Sequence, residues 1–144
     1  MRVSAKAQYA CIAMLELAAH YEDPQPVHIK TIADVHGISQ RFLVQILLQL
    51  KVRGLVESVR GAAGGYHLAK PPEQICLADV INAIDHPPPP APVALGGLHR
   101  SVGVQAVSSI LQEIQAKEQE MLQETTLADL VRRTHQSSTL LYQI

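Results

Sequence analysis

The residues best suited to chemistry in this chain are hydrogen-bonding side chains rather than catalytic pairs. Arg41 and Gln45 stand four residues apart, a spacing that places two side chains on the same face of a helix. In the major groove of DNA, arginine can bond both acceptors of guanine, and glutamine can bond adenine. Gln40 falls on the same side, and Val44 and Leu48 could contact thymine methyl groups there.

A second group of candidates lies in a glycine-rich loop over residues 60–65, with the sequence RGAAGG. Arg60 could enter a minor groove, and Gly61, Gly64 and Gly65 would let the backbone approach phosphates closely. The alternative is that the glycines only form a flexible hairpin. The loop alone does not decide between the two, but its place directly after a pair of helices favours DNA binding.

The elements around these side chains follow the order of a winged helix-turn-helix. A short helix over residues 28–36 ends at Gly37, and Ser39 is a good N-cap for a second helix that ends at Gly54. The second helix has a continuous apolar stripe, formed by Leu43, Ile46, Leu47 and Leu50. Two strands, over residues 55–59 and 66–68, enclose the loop. We therefore predict a mainly α fold, with a two-stranded wing, in a DNA-binding domain spanning residues 1–85.

Two further helices are predicted within this domain. Ser4 can cap a first helix that runs to about residue 21. Its predicted buried side consists of Cys11, Ile12, Leu15, Ala18 and Ala19. A helix over residues 77–85 follows Cys76, which stands at capping-box spacing from Asp79. Residues 86–97, HPPPPAPVALGG, favour stiff extension and are interpreted as a linker.

The last segment, residues 98–144, is predicted to contain a long dimerisation helix and a C-terminal helix with a tail. The long helix, to about residue 124, has an apolar stripe formed by Val107, Ile110, Leu111, Ile114 and Met121. A small domain cannot cover such a stripe alone, so a two-fold symmetric homodimer is favoured. The alternative is packing against the first helix. Thr126 and Asp129 are expected to cap the last helix, with residues 135–144 as its tail.

The charge of the chain is uneven along its length. Residues 1–70 hold eight Lys and Arg against five acidic residues, a net charge of +3, whereas the remainder carries −4. This asymmetry suits a DNA-binding front half and a solvated dimerisation segment. No signal peptide or bilayer-spanning run is evident, and two cysteines do not make a disulfide framework. We therefore expect a cytoplasmic protein with no membrane association.

Four segments together resemble one family of bacterial regulators. They are residues 2–6 (RVSAK), 28–39, 53–56 (RGLV) and 59–66, and the resemblance resumes at residues 125–130 (TTLADL). This ordered combination resembles the Rrf2 family of transcription regulators. The resemblance implies a homodimeric transcriptional repressor that binds double-stranded DNA. By the resemblance, Arg2 and Lys6 lie where related regulators contact the DNA backbone, although they could equally be solvated charges. His28 and Ser39, at two helix starts, complete the predicted DNA-binding residues.

The chain departs from the family in two places. Members that bind an iron-sulfur cluster carry three cysteines in the loop corresponding to residues 86–100, and this chain has none there. His99 alone cannot hold a cluster, so we expect no cofactor and no metal. Val44 replaces a glutamate that is common in the family, so the family's operator preference does not transfer.

Two other sensing devices remain open. Cys76, at a helix N-terminus, is expected to have a lowered thiol pKa and could be oxidised, whereas Cys11 is expected to be an inert core residue. The chain ends in an aromatic residue near an isoleucine, Tyr142 and Ile144, which resembles the cluster-free cysteine-metabolism repressor of the family. That resemblance implies a cysteine synthase partner bound through the C-terminus. The alternative is an ordinary chain end packed on its own dimer.

The leading hypothesis is therefore a DNA-binding repressor without a cluster, with control of cysteine or sulfur metabolism as a finer expectation. The alternative is a winged helix that has lost DNA binding and docks an enzyme through its tail. An enzyme is not expected, because the seven histidines are scattered and no catalytic triad, metal-spaced pair or phosphate loop is present.

Overall fold

A computed structural model describes residues 3–86 and 101–142, with only the backbone for residues 138–142. The helices are α1 (Ala5–Ala19), α2 (Ile29–His36), α3 (Gln40–Val52), α4 (Leu77–Asp85), α5 (Val102–Glu124) and α6 (Leu127–Tyr142). The strands are β1 (Val56–Val59) and β2 (Gly65–Leu68), and a 3-10 turn covers Pro72–Gln74. The predicted mainly α winged helix-turn-helix is confirmed.

The helix pair α2–α3 forms as the sequence predicts. Gly37 has φ 65°, a left-handed conformation that glycine adopts without a Cβ penalty, and it ends α2. Ile38 then fills the corner between the helices at 6% exposure. The Ser39 Oγ accepts from the Phe42 amide at 3.5 Å to cap α3. The predicted buried stripe of α3 is confirmed, because Leu43, Ile46, Leu47 and Leu50 are all fully buried.

The buried side of α1 differs from the prediction. The fully or almost fully buried residues are Ala7, Ala10, Ala13, Met14, Leu17 and Ala18. Of the predicted residues, Cys11, Ile12 and Leu15 are only half-buried, and Ala19 is exposed. The reason is that α1 packs against α3, α4, α6 and β2 at once. Its alanines let these neighbours approach closely, and a single apolar stripe does not describe a helix covered on several sides.

The wing is an antiparallel pair in which Val56 lies opposite Leu68 and Val59 opposite Gly65. A short bridge adds to it, since Val27 and Tyr66 exchange two backbone hydrogen bonds of 3.0 and 2.9 Å. This bridge attaches the segment before α2 to the wing, and so fixes the wing relative to the helix pair.

The last helix returns to the core of the first domain. Leu127 is fully buried within the same core cluster as α1 and α3. Two backbone bonds of 2.9 Å, from Leu77 to Thr125 and from Leu127 to Ile75, join the starts of α4 and α6. The predicted linker, residues 86–97, lies outside the described residues apart from His86, and the last helix shares its core with the predicted DNA-binding domain. Residues 135–142, expected as a tail, continue α6, and they contain no glycine or proline that would end it.

A carboxylate joins α1 to α2. Glu16 accepts from His20 Nε2 at 3.2 Å and from His36 Nε2 at 2.9 Å, using a different oxygen for each. The Glu16–His36 contact is partly buried and holds the end of α2 against α1. Across the described ranges, no helix combines the length and apolarity needed to cross a bilayer.

Candidate nucleic-acid interface

The outer face of α3 presents the side chains that the sequence singled out. Gln40, Arg41 and Gln45 are exposed, opposite the buried stripe. Val44 and Leu48 lie on the same side, with 46% and 56% of their surface accessible. The helix contains no acidic residue, so nothing on it would repel a phosphate backbone. The geometry thus allows hydrogen bonding and methyl contacts from one face.

The start of α3 is held by contacts with α1. The Tyr9 and Phe42 rings meet edge to face, with centroids 5.5 Å apart and an interplanar angle of 88°. Such a pair fixes two helices against each other. Lys6 lies one turn before Tyr9 and is half-buried, and Ser39 serves as the N-cap of α3. Arg2 lies outside the described residues, so its predicted contact with DNA stays a prediction.

In the wing loop, Arg60 and Gly61 are exposed, and Gly61 has φ 107°. The Gly64 amide donates to the Gly61 carbonyl at 2.9 Å, which closes a tight turn. Gly64 and Gly65 are half-buried, and a Cβ added to either would lie 2.3 Å from a backbone oxygen. Gly64 is therefore required by packing within the wing, and Gly65 by packing of the wing against Val27. The sequence offered a flexible hairpin or a phosphate contact and missed this third role.

An open groove of about 470 Å³ separates the start of α2 from the wing. Its charged lining residues are Lys30 and Arg60, and His28, Ser58 and Tyr66 contribute polar groups. Its lining includes no acidic residue from the described part of the chain. Two cations beside the N-terminus of a helix form a favourable environment for a phosphate. Sequence reasoning missed Lys30, and its position in the first turn of α2 was the available signal.

One hydrogen bond sets the wing against the end of α3. The Lys51 Nζ donates to the Ser58 Oγ on β1 at 2.7 Å. Because Arg60 directly follows β1 and begins the wing loop, this contact helps to place Arg60 relative to the face that bears Arg41.

The prediction of a lowered thiol pKa at Cys76 is wrong. Cys76 is half-buried, and burial raises the pKa of its thiol above the ordinary value. The Asp79 carboxylate, whose Oδ2 accepts from the Cys76 amide at 3.1 Å, opposes formation of the thiolate. Burial also raises the pKa of the Cys11 thiol to about 11, with a contribution from Asp85, as expected of an inert core thiol.

The remaining predicted sites lie away from α3 and the wing. The predicted dimerisation stripe is exposed on α5, with accessible fractions from 36% to 66% at Val107, Ile110, Leu111, Ile114 and Met121. Tyr142 ends α6, and Ile144 lies outside the described residues, so a site at the C-terminus stays a prediction. Within residues 3–86 and 101–142, no group of three His, Cys, Asp or Glu side chains is arranged to hold a metal.

A helix pair with an exposed basic and amide-bearing face, and a wing beside it, defines the winged helix-turn-helix class of transcription regulators. The chain matches the family model described as "Rrf2: Iron-dependent Transcriptional regulator" over residues 3–133. It belongs to the Rrf2 family of transcription regulators.

The relatives found by sequence agree with this assignment. The chain is 40% identical over 131 residues to Rv1287 of Mycobacterium tuberculosis, which is named as a putative HTH-type transcriptional regulator. The matched region covers 90% of this chain and 81% of that protein. It is 44% identical over 85 residues to the regulator IscR of Photorhabdus laumondii. That matched region covers 59% of this chain and 51% of the relative. The match to IscR is thus confined to about half of each protein.

Solved structures extend the similarity to most of the fold. CymR of B. subtilis, the global cysteine regulator of that organism, superposes with a TM-score of 0.78 and 30% identity, covering 92% of this chain and 98% of that one. IscR of T. potens superposes with a TM-score of 0.74 and 34% identity, covering 95% and 90%.

Proposed function

We propose that this protein is a homodimeric repressor that binds a pseudo-palindromic DNA site, acts by binding rather than by catalysis, and carries no iron-sulfur cluster. The observation that supports DNA recognition is the exposed face of α3, which presents Arg41 and Gln45 without a competing acid. Beside it, Lys30 and Arg60 line a groove suited to a phosphate. Base contacts would come from α3, and backbone contacts from α2 and the wing.

The homodimer is supported by α5. This helix of 23 residues has no buried side chain, yet it carries a stripe of large apolar residues. Its end is held to the core through α6, so the stripe is presented to a second molecule rather than left on a free segment. A two-fold axis along α5 would pair two α3 helices, with half-sites about one helical turn, or a multiple of it, apart.

The repressor role follows from the resemblance and from simple occlusion. A dimer seated across a promoter excludes RNA polymerase from the same DNA. For the regulated genes, we favour cysteine and sulfur metabolism, and the support is the similarity to CymR over nearly all of that chain. A promoter-reporter assay with and without the gene for this protein tests the direction of regulation. Higher reporter output in the presence of the protein would contradict repression.

The absence of a cluster is supported by the donor set. The chain has two cysteines, Cys11 and Cys76, and burial raises the pKa of both thiols. Cluster ligation needs several thiolates close together, and residues 86–100 contribute no cysteine. Anaerobic incubation with iron and sulfide should leave the protein without visible iron-sulfur absorption. A stable cluster spectrum would contradict this part of the proposal.

In vitro selection from a random DNA library tests the function as a whole. We expect enrichment of a pseudo-palindrome, bound with an affinity that falls steeply as salt rises, because phosphate contacts release counterions. A protein carrying both Arg41→Ala and Gln45→Ala is the matched control and should enrich no defined sequence. Binding that is negligible and independent of salt would contradict the proposal and favour the protein-docking alternative.

A further inference from the structure

A small groove lies between the end of α3 and the end of α4. Its volume is about 250 Å³, and it is lined by Leu48, Gln49, Val52, Arg53, Ala83 and His86. Pockets for drug-sized ligands usually occupy about 300–1,000 Å³. This groove is therefore of a size for a molecule no larger than an amino acid.

One wall of the groove contains an unpartnered acceptor. The Gln49 Oε1 atom is buried, and among the buried side-chain polar atoms of the described residues it alone has no hydrogen-bond partner. A carbonyl oxygen removed from water without a donor carries an uncompensated desolvation cost. Gln49 lines the groove and its side chain as a whole is only half-buried, so a rotation of its terminal amide would turn the oxygen toward a donor in the groove.

Four residues further along the chain, Arg53 offers hydrogen-bond donors to the same groove. The Arg53 Nη2 lies 2.7 Å from the His86 Nδ1. Because the guanidinium is always protonated, it donates, Nδ1 accepts, and the proton of the neutral ring is on Nε2. The guanidinium keeps further N–H groups free for a second acceptor. None of the described residues that line the groove carries a carboxylate, and the adjacent Asp85 accepts instead from the Ser4 amide at 3.0 Å. These donors suit a carboxylate.

The rest of the groove lining is apolar. Val52 has 82% of its surface exposed and Leu48 has 56%, whereas Ala83 is buried. Exposure this large at Val52 leaves apolar surface in water that a ligand side chain would cover. The groove therefore combines three features that a ligand could use: the unpartnered Gln49 oxygen, the donors of Arg53 and His86, and an apolar surface.

We propose that this groove binds a free α-amino acid with an apolar side chain. Its ammonium group donates to the Gln49 Oε1, its carboxylate accepts from Arg53 and from the His86 Nε2, and its side chain covers Leu48 and Val52. Because the groove is built partly from α3, the bound amino acid alters the DNA-binding face and acts as an effector. The effector role rests on the proposed function, whereas the binding site does not.

Isothermal titration calorimetry of the full chain with L-leucine tests the site. We expect saturable binding of one molecule per chain. Two analogues remove one group each: 4-methylpentanoate lacks the amine, and 3-methylbutylamine lacks the carboxylate. Each should bind at least about tenfold more weakly than L-leucine. Absence of saturable heat with L-leucine, or equal affinity for all three compounds, would overturn the proposal.

Variants of the groove provide the second measurement. Gln49→Leu and Arg53→Met should each weaken L-leucine binding by about tenfold or more. The matched controls are Gln112→Leu on α5 and Arg133→Met on α6, both exposed and away from the groove. They should leave L-leucine affinity unchanged. Circular dichroism of each variant confirms folding, and equal affinity in folded groove and control variants would overturn the site.

The effector role is measured separately, by fluorescence anisotropy with the selected DNA. L-leucine should change the DNA affinity of the wild type and leave that of Gln49→Leu unchanged. If L-leucine binds but DNA affinity does not respond, the effector role is overturned and the site stands. If the protein binds no DNA at all, the proposed function fails, and the calorimetry still decides the site.

Discussion

Gly65 in the wing lies against the carbonyl of Val27 so closely that a Cβ built on it would be 2.3 Å from the Val27 oxygen. The neighbouring residue, Tyr66, exchanges two backbone hydrogen bonds with Val27. These contacts pack the wing against Val27, which forms a β-bridge just before α2. The wing is therefore part of the folded domain and not an appended flexible loop.

Gly65→Ala tests this packing. The added methyl group meets a backbone oxygen that cannot move without breaking the Val27–Tyr66 bridge, so we expect a loss of about 1–3 kcal/mol in the free energy of unfolding. Chemical denaturation measures it. The control is Gly103→Ala, where the new Cβ would meet only the Ser101 Oγ at 3.8 Å. Its effect should lie within about 1 kcal/mol, and equal losses in both variants would contradict the packing argument.

Substitutions on α3 and on the groove beside the wing should have different consequences. Arg41→Ala or Gln45→Ala should each cost about 1–3 kcal/mol of binding to the selected site and relax base preference at one position. Lys30→Ala, Arg60→Ala or Lys6→Ala should weaken all sequences alike and reduce the salt dependence. Competition binding with single-base operator variants separates the two patterns. Uniform weakening by Arg41→Ala would remove Arg41 from base contact.

The apolar stripe of α5 should control the oligomeric state. Ile114 has 48% of its surface exposed, and Ile114→Glu would place a charge in the proposed dimer interface. We expect the dimer to dissociate at least about tenfold more readily, as measured by sedimentation velocity. Gln112→Glu, on another face of the same helix, adds the same charge and should leave the dimer intact. A monomeric wild type would contradict the interface.

The cap of α6 predicts a pH-dependent contribution to stability. The Thr126 amide donates to the Asp129 Oδ2 at 2.9 Å, and the Asp129 amide donates to the Thr126 Oγ1 at 3.1 Å. The backbone hydrogen bond from Thr126 is the main reason that the pKa of Asp129 lies below its ordinary value. Since the folded-state pKa is depressed, the stability is present above the unfolded-state pKa and lost as the pH falls through the folded one.

Comparing wild type with Asp129→Asn by denaturation across the acidic range measures this dependence. The two curves should converge as the pH falls, and curves that stay parallel would contradict it. Thr126→Ala should cost about 0.5–2 kcal/mol. Ser101→Ala removes a similar cap from α5, in which the Ser101 Oγ accepts from the Val104 amide at 3.1 Å. Unlike α6, α5 has no buried residues. The cost of Ser101→Ala should be smaller.

Cys76 should not act as a peroxide sensor. A raised thiol pKa leaves little thiolate near neutral pH, and the thiolate is the reactive form. We expect the DNA affinity of the wild type to be unchanged by brief treatment with hydrogen peroxide, and equal to that of Cys76→Ser. Loss of affinity in the wild type alone would restore the redox hypothesis.

The helix pair, its caps and the faces of α3 could be predicted from the sequence because each depends on residues a few positions apart. Leu43, Ile46, Leu47 and Leu50 recur at helical spacing, so their burial and the exposure of Arg41 follow from one period. The same holds for the Thr126–Asp129 cap.

Other features depend on which distant segments meet, and local spacing does not record that. Gly65 lies against Val27, Lys30 shares a groove with Arg60, and Leu127 fills the core beside α1. The pKa of the Cys76 thiol rises because burial, fixed by the whole fold, outweighs the effect of a helix N-terminus. The sequence by itself determined which residues α3 presents to solvent. Only the tertiary structure decided what stands beside them, because packing between remote segments sets burial, close approach and local charge.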